Sequence, residues 1–292
     1  MEYKFFKPSL LKCNNLQVTL RRYSRYYLRK IIFYQYVIQF EEFVNSNPLL
    51  QDFFEHSPIC AYVLIRYFCN RSFNSAERFN HIVSDLKFMA KLHLSSKILP
   101  LWREKILLFN IDGEKSYGLF LEKNTIANEE GFWALVLRNS LQERIYQATF
   151  SFTPDNDLLI ASIQGSKSCQ NEDDEIKFLT KKCFGLRPAS LLIEVLKIFT
   201  RVLNCNATLG IPSKFQIRSN KGFYKGYYVD YDKIWQESCG EIVKIHRHYY
   251  YLLNHTHKKL EDVPSKKRSM YKNRFAMLEE IQDKIDRIFR AK

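Results

Sequence analysis

Two segments of the chain carry side chains that could do acid–base chemistry. The segment VDYDKIWQES supplies Asp230, Asp232 and Glu237, and the segment SIQG supplies Gln164. Carboxylates in such a cluster could act as a general base or bind an amine. The structural alternative is that Asp230 or Asp232 caps a short helix, which Trp235 anchors in the core. The sequence leaves both interpretations open.

A cluster of basic residues at the start of a C-terminal helix could bind an anion. Its members, with one further arginine from the segment GLRP, are Lys266, Lys267, Arg268, Lys272, Arg274 and Arg187. Cations at a helix N-terminus oppose the helix dipole, so compensating negative charge is expected nearby. That charge is either a bound anion or an internal ion pair of Arg268 or Arg274 with Asp230, Asp232 or Glu237.

The segment Gln164–Lys167 lies between a predicted strand and a predicted helix, where backbone N–H groups can bind a phosphate. This order is similar to that of the acyl-CoA-dependent N-acyltransferases, which place a strand, a pyrophosphate-binding loop and a helix before another strand and helix. Their R/Q-x-x-G-x-G/A loop is incomplete here, because no second glycine follows Gly165, and the acidic run Glu172–Glu175 would repel a pyrophosphate. Acyl-CoA is therefore a cofactor suggested by topology alone, and no other cofactor is indicated.

Two histidine pairs and the cysteines are candidate metal ligands. His246-x-His248 and His255-x-His257 lack the additional carboxylates or cysteines of a dedicated zinc centre. We expect these histidines in a solvated, tyrosine-rich loop, and we expect no metal. The seven cysteines form no C-x-x-C pair, so reduced thiols are expected.

The formal net charge of +14 favours anionic partners such as phosphate groups, nucleic acid or an acidic lipid surface. A basic, solvated surface is the alternative. The N-terminal residues lack the apolar core of a secretory signal, and the early apolar run Ile31–Phe40 is too short to span a bilayer. We therefore expect no transmembrane segment and a cytoplasmic protein, for which peripheral contact with the inner membrane is compatible with the charge.

The spacing of apolar residues changes near residue 105. Residues 1–104 are predicted to be helical, beginning with an amphipathic helix whose apolar stripe is Leu16, Leu20, Tyr23, Tyr27, Ile31, Tyr34 and Ile38. Residues 105–292 predict an α+β core with strands at Ile106–Ile111, Lys115–Glu122, Trp133–Arg138, Glu143–Phe152, Leu158–Ile163, Ala207–Ile211 and Lys214–Arg218. Gly185 is expected to end a helix, Ala189–Leu203 to form a buried helix, and Lys266–Phe289 to form the basic helix. The two parts are expected to form one continuous unit with a mainly antiparallel sheet.

Five motifs resemble the VirK/YbjX family, also called the domain-of-unknown-function 535 proteins of Gram-negative bacteria. They are SIQG, EIKFLTKKCFGLRP, LLIEVLK, VDYDKIWQES and PSKKRSMYKNRFAML. The resemblance implies a cytoplasmic bacterial protein linked to virulence, to tolerance of cationic antimicrobial peptides and to envelope or stress responses. One departure lies at Ser238-Cys239-Gly240, where two glycines are expected, so a stiffer loop is predicted after Trp235.

Three functions remain open at this point. The first is a factor that supports envelope integrity through its basic face. The second is an acyl- or aminoacyl-transferase with Gln164, Asp230, Asp232 and Glu237 around one cleft, which requires Ser162–Lys167 and Val229–Glu237 to meet at one sheet edge. The third is a nucleic-acid-associated stress or DNA-damage-response protein that uses the basic clusters 21–30 and 266–274.

Overall fold

The structure is a computed structural model that describes residues 2–96, 99–111, 116–166, 172–217, 229–255 and 259–290. It confirms the α+β class. The first part is helical, with α1 (Leu16–Ile32), α2 (Tyr34–Asn45), α3 (Pro48–His56) and α4 (Ser75–Ser96). Side-chain caps start three of these helices, because Asn15 accepts a hydrogen bond from the Val18 N–H, Asn47 accepts one from the Leu49 N–H and Asn74 accepts one from the Glu77 N–H.

An eight-stranded sheet follows. Its strands are β1 (Ile106–Ile111), β2 (Tyr117–Lys123), β3 (Trp133–Asn139), β4 (Arg144–Phe152), β5 (Leu158–Gly165), β6 (Thr208–Gly210), β7 (Gly240–Ile245) and β8 (His248–Leu253). The strand order is β1-β2-β3-β4-β5-β6-β8-β7, and β5–β6 is the one parallel pair in it. The predicted five-strand meander is confirmed, since β1 to β5 are successive antiparallel neighbours.

Two sequence predictions about strands are wrong. The predicted strand Lys214–Arg218 is a 3₁₀ turn at Ser213–Phe215 followed by a single bridge from Gln216 to Asn70; Arg218 lies outside the described residues. Pro212, which lacks an N–H, directly precedes this turn and disfavours a new ladder. The expected tyrosine-rich loop is instead the β7–β8 hairpin, in which Tyr250, Tyr251 and Leu253 are buried and Tyr249 is exposed.

Helices α5 (Glu172–Lys182), α6 (Pro188–Val202), α7 (Tyr231–Glu237) and α8 (Ser265–Arg290) complete the described fold. Helix α6 packs on the sheet through Phe199, whose ring lies 6.4 Å from that of Phe150 on β4 and 5.6 Å from that of Phe289 on α8. We call the sheet face that carries Phe150 the helix face. One hydrophobic cluster runs from Phe5 through the sheet to Phe289.

The parallel pair β5–β6 is short. Leu158, Leu159 and Ile160 pair with Thr208–Gly210, and the last main-chain bond there runs from the Ile211 N–H to the Ile160 carbonyl, at 3.2 Å. The pairing of β5 with β4 also shifts at this level, because Thr149 faces Ser162 while Phe150 faces Ile160, which leaves Ala161 as an extra residue. The sheet is therefore irregular where β5 and β6 stop pairing.

Candidate functional site

The start of α8 covers a groove on the helix face, which we call the basic groove. It consists of two adjoining cavities of about 1080 Å³ and 570 Å³ between α5, α6, α7 and α8. The turn GLRP contributes Gly185 and Arg187, α7 contributes Ile234 and Glu237, and Tyr146 closes one side from β4. Motifs that lie far apart in the sequence therefore meet at one surface.

The turn between α5 and α6 is built around Gly185. Its φ of +82° is left-handed, as predicted for a residue that ends a helix, and its N–H donates to the Thr180 carbonyl at 2.8 Å. Arg274 of α8 donates to the adjacent Phe184 carbonyl from Nε and Nη2, at 3.1 and 2.7 Å. The positive φ favours glycine here, and a Cβ on Gly185 would also lie 2.9 Å from Arg274 Nη2 and displace that guanidinium.

The predicted ion pairs of the basic cluster are wrong. Arg274 donates to Phe184, while Arg268 donates to the main-chain carbonyls of Val263 and Glu261, at 3.0 and 3.3 Å. Main-chain carbonyls of the loop before α8 and of the α5–α6 turn thus accept hydrogen bonds from the two guanidinium groups without neutralising them. The positive charge of the cluster remains available to an external anion.

Cations outnumber carboxylates along the basic groove. The cations are Lys177, Lys181, Arg187, Lys197, Lys266, Lys267 and Arg274, and the carboxylates are Glu194 and Glu237. Lys197 is buried and donates to Glu194 Oε1 at 2.9 Å and to the Ser238 carbonyl at 3.0 Å. Lys272, the remaining candidate, is exposed on α8. A phosphate-bearing ligand is the charge complement of this surface.

The three acidic candidates of α7 have different positions. Asp230 is the N-cap, with Oδ1 accepting from the Lys233 N–H at 3.0 Å. Asp232 accepts from the Ser213 N–H at 3.0 Å, which joins α7 to the segment after β6. Glu237 is exposed and lines both cavities of the groove. Asp230 and Asp232 therefore have structural roles, and of the three acidic candidates only Glu237 borders the groove.

Gln164 does not share the groove with Glu237. Gly165 pairs with Tyr146, whereas Gln164 pairs with Gln147, and successive residues of a strand point to opposite faces. Only the end of β5 approaches the groove, and Lys167 lies outside the described residues. Gln164 therefore lies outside the cleft predicted for a transferase, and only a site built on Glu237 and the basic cluster remains for that function.

Behind the sheet, Gln164 belongs to a buried polar cluster that the sequence analysis missed. We define this cluster by Asn124, Glu130, Gln147, Thr149, Ser162 and Gln164, all of them buried. Glu130 Oε2 accepts from the Ser162 hydroxyl at 2.8 Å and from Gln164 Nε2 at 3.2 Å, and Ser162 and Thr149 share a hydrogen bond of 2.8 Å. The available signal was the spacing of two in ASIQG and in YQATF, which places polar residues on one face of otherwise apolar strands.

A second polar group joins α4 to β8. His248 contacts Ser72 Oγ through Nδ1 at 2.9 Å and Glu77 Oε1 through Nε2 at 3.0 Å. Burial opposes ionisation of Glu77, but hydrogen bonds from Arg247, the Asn74 N–H and His248 lower its pKa to about 2. Ser72 Oγ also lies 2.7 Å from Asn70 Oδ1, which competes for its single proton. This geometry fixes the hairpin on α4 and leaves Ser72 a poor nucleophile.

The comparisons with known proteins identify the family. A profile described as "Protein of unknown function (DUF535)" matches residues 17–287. The chain belongs to this family. An "Uncharacterized protein" of Haemophilus influenzae is 37% identical over 268 residues, which cover 91% of this chain and 88% of the relative. "Membrane protein LapB" of Mannheimia haemolytica is 36% identical over 198 residues (67% and 84%), and "Uncharacterized protein YbjX" of Escherichia coli is 27% identical over 195 residues (63% and 58%).

No solved structure matches this DUF535 chain. Among the residues that the structure describes, no helix has both the length and the apolar character needed to cross a membrane. Within the same ranges, no three His, Cys, Asp or Glu side chains form a group that could hold a metal ion.

Proposed function

We propose that this DUF535 protein is an acyl-transfer enzyme whose phosphate-bearing donor, of the acyl-CoA type, binds in the basic groove. The observation that carries the proposal is the position of the groove. Its cations come from α5, from the turn before α6, from α6 and from α8. Glu237 of α7 lines the same groove, and Trp235 of that helix packs on Gly210 at the end of β6.

The order of elements supports the same assignment. Strand β5, helices α5 and α6, the parallel strand β6 and helix α7 follow one another as the strand, loop, helix, strand and helix of the N-acyltransferases do. The β7–β8 hairpin then adds β8 beside β6 with β7 at the edge. Topology alone does not establish an activity, so we infer the class of ligand from the charge and size of the groove.

The groove combines charge with apolar surface. Phe184, Ile234 and Met270 line the larger cavity together with Arg187 and Lys266. An acyl-CoA donor joins an apolar acyl chain, through an amide-containing pantetheine arm, to charged phosphate groups, so both ends of such a donor find a complement. Duplex nucleic acid would need a cationic surface that extends over many phosphates rather than a groove bounded by four helices.

Glu237 supplies the acid–base group of the groove. It is the α7 carboxylate that lines both cavities, and it is exposed to solvent there. We assign Glu237 as the general base. The amine nitrogen of an acceptor attacks the thioester carbonyl, its proton passes to Glu237, the new C–N bond forms and the C–S bond breaks, and the released thiolate takes up a proton from water.

For the cell, we propose that this reaction takes place in the cytoplasm, at or near the inner membrane, and supports envelope integrity and tolerance of cationic peptides. The family resemblance is the support for that setting. A deletion strain complemented with the Glu237→Gln variant tests it: wild type should restore tolerance and the variant should not. Equal complementation by both would leave a non-catalytic envelope factor as the function.

Donor binding is tested by calorimetry with CoA and with acyl-CoA of increasing chain length. The Arg187→Gln/Lys267→Gln variant should weaken binding by about tenfold or more, because two charge-assisted contacts are lost. The control Lys91→Gln/Lys244→Gln removes the same charge from exposed positions outside the groove and should bind as wild type does. If groove and control variants lose affinity equally, the groove is not the donor site.

A further inference from the structure

Helix α1 is oriented with its apolar stripe toward solvent. Its buried side is formed by Thr19 and Tyr26, and the Tyr26 hydroxyl donates to the Phe6 carbonyl at 2.5 Å. Leu16 is 72% exposed and Ile31 is 74% exposed. Other exposed apolar residues in and just beyond this helix are Val18, Leu20, Tyr27, Leu28, Ile32, Tyr34 and Ile38. A stripe of this size on the surface indicates an interaction site.

Beside α1 lies a small cavity rich in arginine, which we call the arginine pocket. It has a volume of about 440 Å³ and contains Arg22, Arg25, Arg29 and Arg66. Glu129 is the acidic residue in its lining, and it pairs with Arg66 at 2.6 Å. Arg22 donates to the Leu11 carbonyl at 3.3 Å. The pocket keeps a positive excess and has room for a phosphate group.

The sequence around these features has only one sign of charge. Residues 3–40 contain eight lysines and arginines and no aspartate or glutamate. The exposed apolar residues of α1 therefore lie among cations alone, and Leu10 and Ile126 add apolar surface at the arginine pocket. A helix with aliphatic and aromatic residues on one side and arginines beside them is the pattern of interfacial helices on anionic bilayers.

Other occupants fit this surface less well. A second copy of the chain would bring a net charge of +14 against the same charge, with no acid on either α1 to pair the arginines. Helix α1 has 17 residues, and six of them are strongly polar: four arginines, one lysine and one glutamine. It therefore lies along a membrane surface rather than across a bilayer. We propose that α1 lies in the headgroup region of an anionic phospholipid bilayer and that the arginine pocket receives a headgroup phosphate. This docking surface is independent of the acyl-transfer site.

Vesicle sedimentation of the full chain tests the proposal. Wild type should bind vesicles of phosphatidylcholine and phosphatidylglycerol, and should bind pure phosphatidylcholine vesicles far less. Leu20→Ser/Ile31→Ser should weaken binding by about tenfold or more, from the lost apolar burial. Arg25→Gln/Arg29→Gln should weaken it by a similar factor and reduce its dependence on salt.

Two matched controls remove equivalent side chains elsewhere. Leu94→Ser/Leu141→Ser replaces leucines that are 72% and 76% exposed, and Lys91→Gln/Lys244→Gln removes two exposed charges. Both should bind vesicles within about twofold of wild type, because neither pair touches α1. All substituted positions are exposed or line the pocket, so thermal melts should show every variant folded. Equal binding by the leucine variant of α1 and its control overturns the proposal.

A competition experiment distinguishes a lipid headgroup from free phosphate as the ligand of the arginine pocket. Inorganic phosphate at low millimolar concentration should displace the protein from vesicles only weakly. If phosphate alone occupies the arginine pocket tightly and the α1 leucine variant sediments as wild type does, the pocket is a soluble-anion site and the bilayer assignment is wrong.

Discussion

The indole ring of Trp235 lies directly on the main chain of Gly210. A Cβ at position 210 would be 2.7 Å from Trp235 Cδ2 and 2.8 Å from Cε2, and the Trp235 Nε1–H donates to the Ile211 carbonyl at 2.8 Å. This contact fixes α7 against the end of β6, at the level where β5 and β6 stop pairing. It therefore also fixes the position of Glu237 at the basic groove.

Substitution of Gly210 should displace α7. Because the indole is rigid and buried, Gly210→Ala should lower the free energy of unfolding by about 1–3 kcal/mol, measured by denaturant unfolding. It should also weaken binding of acyl-CoA in calorimetry. In the double variant Gly210→Ala/Trp235→Ala the new methyl group has space, so the two losses should not add. If the losses of unfolding free energy caused by Gly210→Ala and Trp235→Ala are strictly additive, the contact between these two residues is not the cause of the destabilisation.

Cys239 has a φ of +61°, at the position where the family resemblance predicts glycine. The side chain is exposed, so packing does not stabilise this left-handed conformation. Cys239→Gly should leave the free energy of unfolding unchanged or raise it by up to about 1 kcal/mol, because relief of backbone strain is partly offset by unfolded-chain entropy. Cys239→Val should be destabilising, since a β-branched residue tolerates positive φ less well. Urea unfolding of the three proteins gives the order.

Asp85 predicts a pH dependence of stability. Burial raises its pKa to about 8, although the Phe152 N–H and Trp133 Nε1–H donate to Oδ1 at 2.8 and 3.1 Å. The folded state holds this proton at a pH where the unfolded state has lost it, so Asp85 makes stability fall as pH rises from about 4 to 8. Asp85→Asn keeps the acceptor and has no such proton.

The measurement is the difference in unfolding free energy between wild type and Asp85→Asn across that range. We expect the variant to become the relatively more stable protein as pH rises, with the difference levelling off above about pH 8. A difference that does not change between pH 4 and 8 would contradict a raised pKa at this site.

Local sequence signals predicted the elements better than their assembly. Period-two stretches gave β1 to β5, and Gly185 marked the end of α5, because turn chemistry and alternation are encoded within a few residues. The apolar stripe of α1 predicted the helix but not which side of it is buried: Tyr26 is 1% exposed, while Leu20 faces solvent. Which side of a helix is buried depends on partners such as Phe6 that the stripe itself does not specify.

In the candidate site, too, local sequence patterns predict some features while others depend on tertiary structure. The basic groove could be anticipated from GLRP and the basic start of α8, since both are strong local patterns. The pairing of Arg274 with the Phe184 carbonyl, rather than with Asp230 or Asp232, is a tertiary outcome. Glu130 is the last residue of the 3₁₀ turn Asn128–Glu130 and no sequence pattern marks it, so only the assembled sheet brings Ser162 and Gln164 onto it.

Replacement of Glu237 should separate catalysis from donor binding. Glu237→Gln keeps the size of the side chain at an exposed position, so its melting temperature should stay near that of wild type. General-base catalysis typically contributes about 10²–10⁴-fold, so thiol release from acyl-CoA with a panel of primary amines should fall by at least about a hundredfold. Binding of the donor in calorimetry should not weaken, because the substitution removes a negative charge from the lining of a cationic groove. Glu130→Gln is the comparison: its carboxylate is buried on the other face of the sheet, so it should retain turnover. Thiol release by Glu237→Gln at the wild-type rate would remove Glu237 from the reaction and leave the basic groove as a binding site alone.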